Sequence, residues 1–192
     1  MVFHKVATIP TGNKNNRQNT SFTKARSFNH SQQCATLWCW AACGGMMVSF
    51  HKRSSYSQYD FAVKRFDNEE IYDYECNALP KHFNKPQMPN ECLKQLNGIL
   101  VNGISNSQKD ELWTGLVKEI ASKTPLLMGI SYNEEETDGH FIIVSQVLNG
   151  IYYVHNPKYP EGVQKTKEWF FEDSNFSTHV DGAFWSHAFS IK

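Results

Sequence analysis

Gln33-Cys34-Ala35-Thr36-Leu37-Trp38-Cys39-Trp40-Ala41-Ala42 is the stretch on which the fold turns. From Cys39 to Phe50 the residues are mostly Ala, Met, Val and aromatic. Such a run predicts a largely buried helix, although Gly44 and Gly45 weaken it locally. Small residues at those two positions suit tight packing against one helix face. Ser57 to Phe66 predicts a second helix, with Ser57 as its cap and Phe61, Ala62 and Phe66 on one side. Asp67 to Pro89 contains three prolines and reads as irregular. Asn90 can cap a short helix through Leu96, with Glu91 in its first turn and Asn97-Gly98 as the stop. Ser107 and Asp110 precede a further helix that carries Leu112, Leu116, Ile120 and Ala121 on one face.

Beyond Pro125 the pattern changes. Leu126 to Tyr132, Phe141 to Val147, Ile151 to Val154 and Phe184 to Ile191 each read as a strand. Asn149-Gly150 marks a hairpin between the second and third of them. Helices first and antiparallel strands after them predict an α+β architecture. Residues 1–30, rich in Asn, Thr, Lys and Ser, read as a polar N-terminal arm, and 31–192 as one domain. Its helical half spans about 31–124 and its sheet half about 125–192.

The 192 residues suffice for a single substantial core. Hydrophobic residues make up 40% and charged residues 20%, as in soluble globular chains. Basic and acidic residues number 19 each, so no net field draws the chain to nucleic acid or to an anionic membrane. No apolar run approaches a membrane span, and Met1 to Asn29 carries no signal-peptide apolar region. The expectation is a cytosolic protein, export by another route, or a domain cut from a longer chain. Five cysteines, Cys34, Cys39, Cys43, Cys76 and Cys92, leave at least one thiol free. Cys76 and Cys92 could bridge in an oxidising compartment; two reduced thiols are the preferred reading.

The chemistry gathers at the first stretch. A thiol attacks a carbonyl as thiolate, and a free cysteine ionises only near pH 8.5 or so. Cys39 stands where a helix begins, so its backbone N–H is an unpaired donor able to bind a developing oxyanion. Gln33, six residues earlier, offers a second donor through its side-chain amide. Cys34 and Cys43 read as structural cysteines. His140 follows Asp138-Gly139 and opens an apolar strand, a position from which an imidazole can project into a cleft. His187 is its rival, but no hairpin with a polar orienter follows it. Asn156, just past the hairpin and before Pro157, can accept from the imidazole and hold its ring.

Strand parity tests that last pairing. A two-residue turn with unbroken ladders would put His155, not Asn156, on the face of His140. Bringing Asn156 round requires a three-residue loop, Leu148-Asn149-Gly150, with a glycine bulge, or an equivalent bulge in either strand.

Gln33…Cys39-Trp40-Ala41, Gly139-His140 and Asn156-Pro157 together resemble the papain-like cysteine proteases. Trp38-Cys39-Trp40-Ala41-Ala42-Cys43 is similar to the active-site segment of the avirulence-type proteases that bacteria inject into host cells. Gly139-His140-Phe141, a hairpin and Asn156-Pro157 are similar to the double-glycine peptidases that mature bacteriocins, which usually carry an aspartate where Asn156 stands. The resemblance covers roughly residues 30–175. It implies a papain-like fold: a helical half carrying Cys39 and an antiparallel sheet or small barrel carrying His140 and Asn156. It also implies a cysteine endopeptidase of effector or toxin type acting on a protein of a target cell, delivered by a specialised secretion route. An immunity or inhibitor protein would be a partner. No metal or organic cofactor is required. Three other readings stand beside this one: thiol-dependent deamidation or amide transfer, an inactive papain-like binding module, and a metal site from Cys34, Cys39, Cys43 and His51. The spacing of that last set matches no common zinc pattern.

Overall fold

The computed structural model describes residues 28–89, 101–105, 114, 117, 118, 120, 121, 124–131, 139–166, 170 and 184–191. Two helices lead. α1 is Cys39–Lys52, and every residue from Cys39 through Val48 is buried. α2 is Gln58–Phe66. Ser57 caps it as expected: its hydroxyl accepts from the Asp60 N–H at 3.1 Å, and Asp60 Oδ2 accepts from the Ser57 N–H at 2.6 Å. This reciprocal pair satisfies two donors that a helix start otherwise leaves open. The small residues of α1 admit α2. A Cβ on Gly44 would fall 2.3 Å from the Phe61 ring, and one on Gly45 would fall 2.9 Å from the Ser57 backbone. Helix propensity is therefore given up at two positions so that the helices can touch.

The segment after α2 is irregular, as read, with short 3-10 turns at Glu69–Asp73 and Cys76–Ala78. Cys34 and Cys76 form a disulfide. This corrects two expectations, that Cys34 merely packs in its loop and that Cys76 stays reduced or pairs with Cys92. Cys92 and the helix expected at Asn90 to Leu96 lie outside the described residues. Residues 114, 117, 118, 120 and 121 are helical, in line with the helix expected there. Ile120 is buried and Ala121 exposed, so the apolar face is narrower than the spacing implied.

Six strands form one antiparallel sheet: β1 Val101–Ser105, β2 Leu126–Ser131, β3 Gly139–Leu148, β4 Ile151–His155, β5 Val163–Lys165 and β6 Phe184–Ile191. Their order is β1-β6-β2-β3-β4-β5. Among the described residues the sheet is open, with β1 and β5 at its edges, and no barrel closes. The chain is thus α+β. β1 lies within the span expected to be helical yet joins the sheet through β6. Leu127 and Ile143, paired across β2 and β3, enter the core that also contains Trp40, Ala41, Met47 and Phe61. That core seats α1 on the sheet.

Part of the expected N-terminal arm is ordered against the domain. Phe28 lies 4.5 Å from the His155 ring, and His30 stacks on that ring at 5.5 Å. Gly162 closes the other side, where a Cβ would sit 3.0 Å from His155 Nδ1. Burial pushes the His155 pKa down to about 4, and His30 adds to the effect. The unfolded chain takes up this proton near the ordinary histidine value of 6.5, so between pH 6.5 and 4 it binds more protons than the native state. Stability contributed here is full above that range and falls as pH drops through it. A loss of about 3 kcal/mol is expected on acidification. It should appear as a fall in Tm from pH 6.5 to 4 that His155→Gln flattens.

Candidate active site

Cys39 is the first residue of α1. Trp38 occupies the cap position without a side-chain cap bond, so the N–H groups of the first turn have no capping side chain. Both neighbouring indoles anchor the helix start: Trp38 Nε1 donates to the Phe83 carbonyl and Trp40 Nε1 to the Lys85 carbonyl, each at 2.9 Å. Trp38 and Trp40 are therefore core residues and do not line a cleft. Asn84 ties down the preceding loop, accepting from the Leu37 N–H and donating to Thr36 Oγ1, both at 3.0 Å.

Cys39 is 9% exposed as a residue. Burial raises its pKa, while backbone hydrogen bonds from Phe141, Trp40 and Cys39 itself pull the other way. One of these contacts comes across the structure from β3, the other two from the helix start. The sulfur therefore lies against the backbone of the residue that directly follows His140. Cys43, one turn on, is wholly buried, and its Sγ donates to the Phe141 carbonyl at 3.3 Å. Burial holds the Cys43 pKa well up. Two thiols of α1 thus meet the backbone of one residue of β3.

His140 is 8% exposed, and its Nε2 lies 2.7 Å from Asn156 Oδ1. An amide oxygen only accepts, so the ring carries its proton on Nε2 and leaves Nδ1 unprotonated. Burial lowers the His140 pKa, the Asn156 bond raises it, and the charge of Lys158 lowers it. Asn156 is itself held. Its Oδ1 also accepts from the Lys158 N–H at 3.0 Å, and its carbonyl accepts from the Tyr159 N–H at 3.1 Å. Pro157, with its fixed φ, suits the second position of this turn.

Leu148 pairs with Ile151, so the hairpin is a two-residue turn, and Asn149 and Gly150 take φ of 52° and 77°. Positive φ at both central residues fits the type I′ turn of tight hairpins. The three-residue loop is overturned. The alternative holds: Val144 pairs with Val154 but Gln146 pairs with Tyr153, so Ser145 is an extra residue in β3. That bulge turns Asn156 to the face of His140.

Gln33 reaches the same region by a different contact. Its backbone N–H donates to the Pro157 carbonyl at 2.6 Å, joining the loop before Cys39 to the turn that holds Asn156. Its side-chain Nε2 donates to the Ala35 and Thr36 carbonyls, each at 2.9 Å. Both amide hydrogens are thereby engaged within the loop, and Oε1 is buried without a partner among the described residues. His187 is paired in β6 with Gly129 and Ser105. Cys34, being in a disulfide, offers no thiolate to a metal. Among the described residues no cluster of three or more His, Cys, Asp or Glu could hold a metal ion.

No protein-family model and no curated protein matches the sequence. Solved structures do. A protein from Bacillus anthracis described as C39-like peptidase aligns at TM-score 0.55 and 13% identity, over 86% of this chain and 94% of that one. The Pseudomonas avirulence protein AvrPphB aligns at TM-score 0.40 and 10% identity, over 86% and 97%, a score too low to equate the folds. In fold, this chain is therefore similar to a C39-like peptidase, in keeping with the resemblance of its motifs to compact bacterial papain-like peptidases.

Proposed function

We propose that the chain is a cysteine peptidase with Cys39 as nucleophile, His140 as general base and acid, and Asn156 as the residue that orients the imidazole. One observation supports this above the others: the Cys39 sulfur rests on the peptide unit beside His140, whose far nitrogen is bonded to Asn156. Burial opposes charge on both Cys39 and His140, so the resting pair is neutral and the proton moves during attack. His140 Nδ1 takes it as the sulfur bonds to the peptide carbonyl carbon and the carbonyl electron pair moves to oxygen. The Cys39 N–H receives that oxyanion. Gln33 gives a second donor when one of its two loop contacts opens. The C–N bond then breaks, and His140 hands its proton to the leaving amine. Water, deprotonated by His140, releases the thioester as a carboxylic acid and restores the thiol. Action on a target-cell protein, and inhibition by an immunity protein, extend this reading from the sequence resemblance.

The test is to express the wild-type chain and Cys39→Ala in bacterial and in eukaryotic cells and compare protein N-termini by mass spectrometry. New N-termini present only with the wild type are expected. Intact targets gaining about one dalton would instead identify a deamidase using the same thiol.

A further inference from the structure

We propose that Ser145 is a positioning residue: its hydroxyl pins the bulge of β3 and so keeps Asn156 facing His140. The proposal rests on the peptidase reading above and adds a residue to it. Within the paired stretch from Ile143 to Leu148, Ser145 alone has no partner in β4, and without such an insertion the parity of the hairpin would turn Asn156 away. A bulge needs something to fix it, because the unpaired residue gives up ladder hydrogen bonds. Ser145 Oγ lies 2.8 Å from His155 Nε2 and makes a longer contact, 3.5 Å, to the Tyr153 carbonyl. Both partners are on β4, immediately before Asn156.

The chain of donors runs one way. His155 Nε2–H donates to Ser145 Oγ, whose hydrogen points to the Tyr153 carbonyl. This arrangement leaves only a lone pair, not an N–H, on the buried His155 Nδ1, which has no partner among the described residues. Phe28, His30 and Gly162 enclose the His155 ring, so the anchor for the bulge is itself held rigid. His30 Nε2 lies 2.7 Å from the Tyr159 carbonyl, and Gln33 N–H bonds to Pro157, so one strand of chain braces both His155 and the turn of Asn156. The charged group whose field reaches His140 is Lys158, on that same turn.

Ser145→Thr keeps the hydroxyl and Ser145→Val keeps its shape without it, so the pair isolates the hydrogen bond. Two readouts apply: the rate at which iodoacetamide modifies Cys39 at pH 7, with the site identified by mass, and the titration of the His140 ring by NMR. Val is expected to slow modification about tenfold, to the level of Asn156→Ala. It is also expected to lower the His140 titration by about half a pH unit, because the Asn156 oxygen no longer stabilises the protonated ring. Thr is expected to stay within about twofold of wild type in modification rate. Val matching Thr in both readouts overturns the proposal. If Val does not fold, His155→Phe removes the same hydrogen bond from its other side and takes its place, with the same outcomes. Equal modification rates for wild type and His140→Ala would defeat the peptidase reading. The His140 titration would then still decide for or against the role of Ser145.

Discussion

On the proposed mechanism, Cys39→Ala is expected to abolish peptide hydrolysis, with a loss on the order of 10⁶ in rate, and to leave the native fold in place. The size follows from the nature of the step. Without sulfur there is no acyl-enzyme, and what remains is the binding and oxyanion contribution alone. Retention of the fold follows from position. Cys39 is the first residue of α1, and alanine is the best helix former. Cys39 is 9% exposed as a residue, and cysteine to alanine removes one atom, so the void left is small. Cys43 lies one turn further on and is fully enclosed, so it cannot serve as a substitute nucleophile. Far-UV circular dichroism matching wild type, together with loss of cleavage of any substrate found by N-terminal mass spectrometry, is the expected result. Hydrolysis persisting in Cys39→Ala would end the thiol mechanism.

Much of this arrangement was legible in the order of residue types. The helix start at Cys39 showed in the switch to small and apolar residues. The cap of α2 showed in Ser57 with an acid three positions on. Four strands showed as apolar runs, and the hairpin as Asn149-Gly150. Each of these signals is local. The misses are non-local or carry no composition signature. β1 is interrupted by Gly103, and its partner β6 lies far along the chain, so nothing near Val101 announces a strand. β5 has only three residues, exposed or half-buried, and no periodicity can be read from so few. Strand parity required a bulge or a longer loop, but did not single out Ser145 as the residue left over, since serine in a strand has no distinctive mark. The disulfide partner of Cys34 depends on where a loop 42 residues away comes to rest, which no spacing encodes. Gln33 was identifiable as an amide near the nucleophile. The two carbonyls that engage it arise from the shape of its own loop, a shape that residue types alone do not specify.

Breaking the Cys34–Cys76 disulfide is expected to lower stability by about 4 kcal/mol, and Tm by about 10 °C, without a comparable loss of Cys39 reactivity in the protein that remains folded. The sequence separation is 42, and a crosslink closing a loop of that length removes unfolded-state entropy worth about this much. The enclosed loop contains the whole of α1, the whole of α2 and the first 3-10 turn, so the constraint acts on the half of the fold that carries Cys39. Activity is less exposed because the loop before the nucleophile has other restraints. The Cys34 N–H donates to Gln58 Oε1 at 2.6 Å, Gln58 Nε2 donates to the Gln32 carbonyl at 2.9 Å, and Gln33 N–H holds Pro157. Thermal denaturation of wild type with and without reductant, and of Cys76→Ser, checks the stability term. Thiol modification of Cys39 at 25 °C checks the site. A Tm unchanged by reduction would overturn this expectation and mean that residual contacts, such as those of Tyr59 with Cys34 and Tyr74, persist in the unfolded ensemble. A Tm that falls while Cys39 keeps its reactivity would separate the two roles of this region. The crosslink would then set how long the protein lasts in a reducing compartment, and the hydrogen bonds that the Gln32 carbonyl accepts and the Gln33 and Cys34 N–H groups donate would set the geometry of the nucleophile.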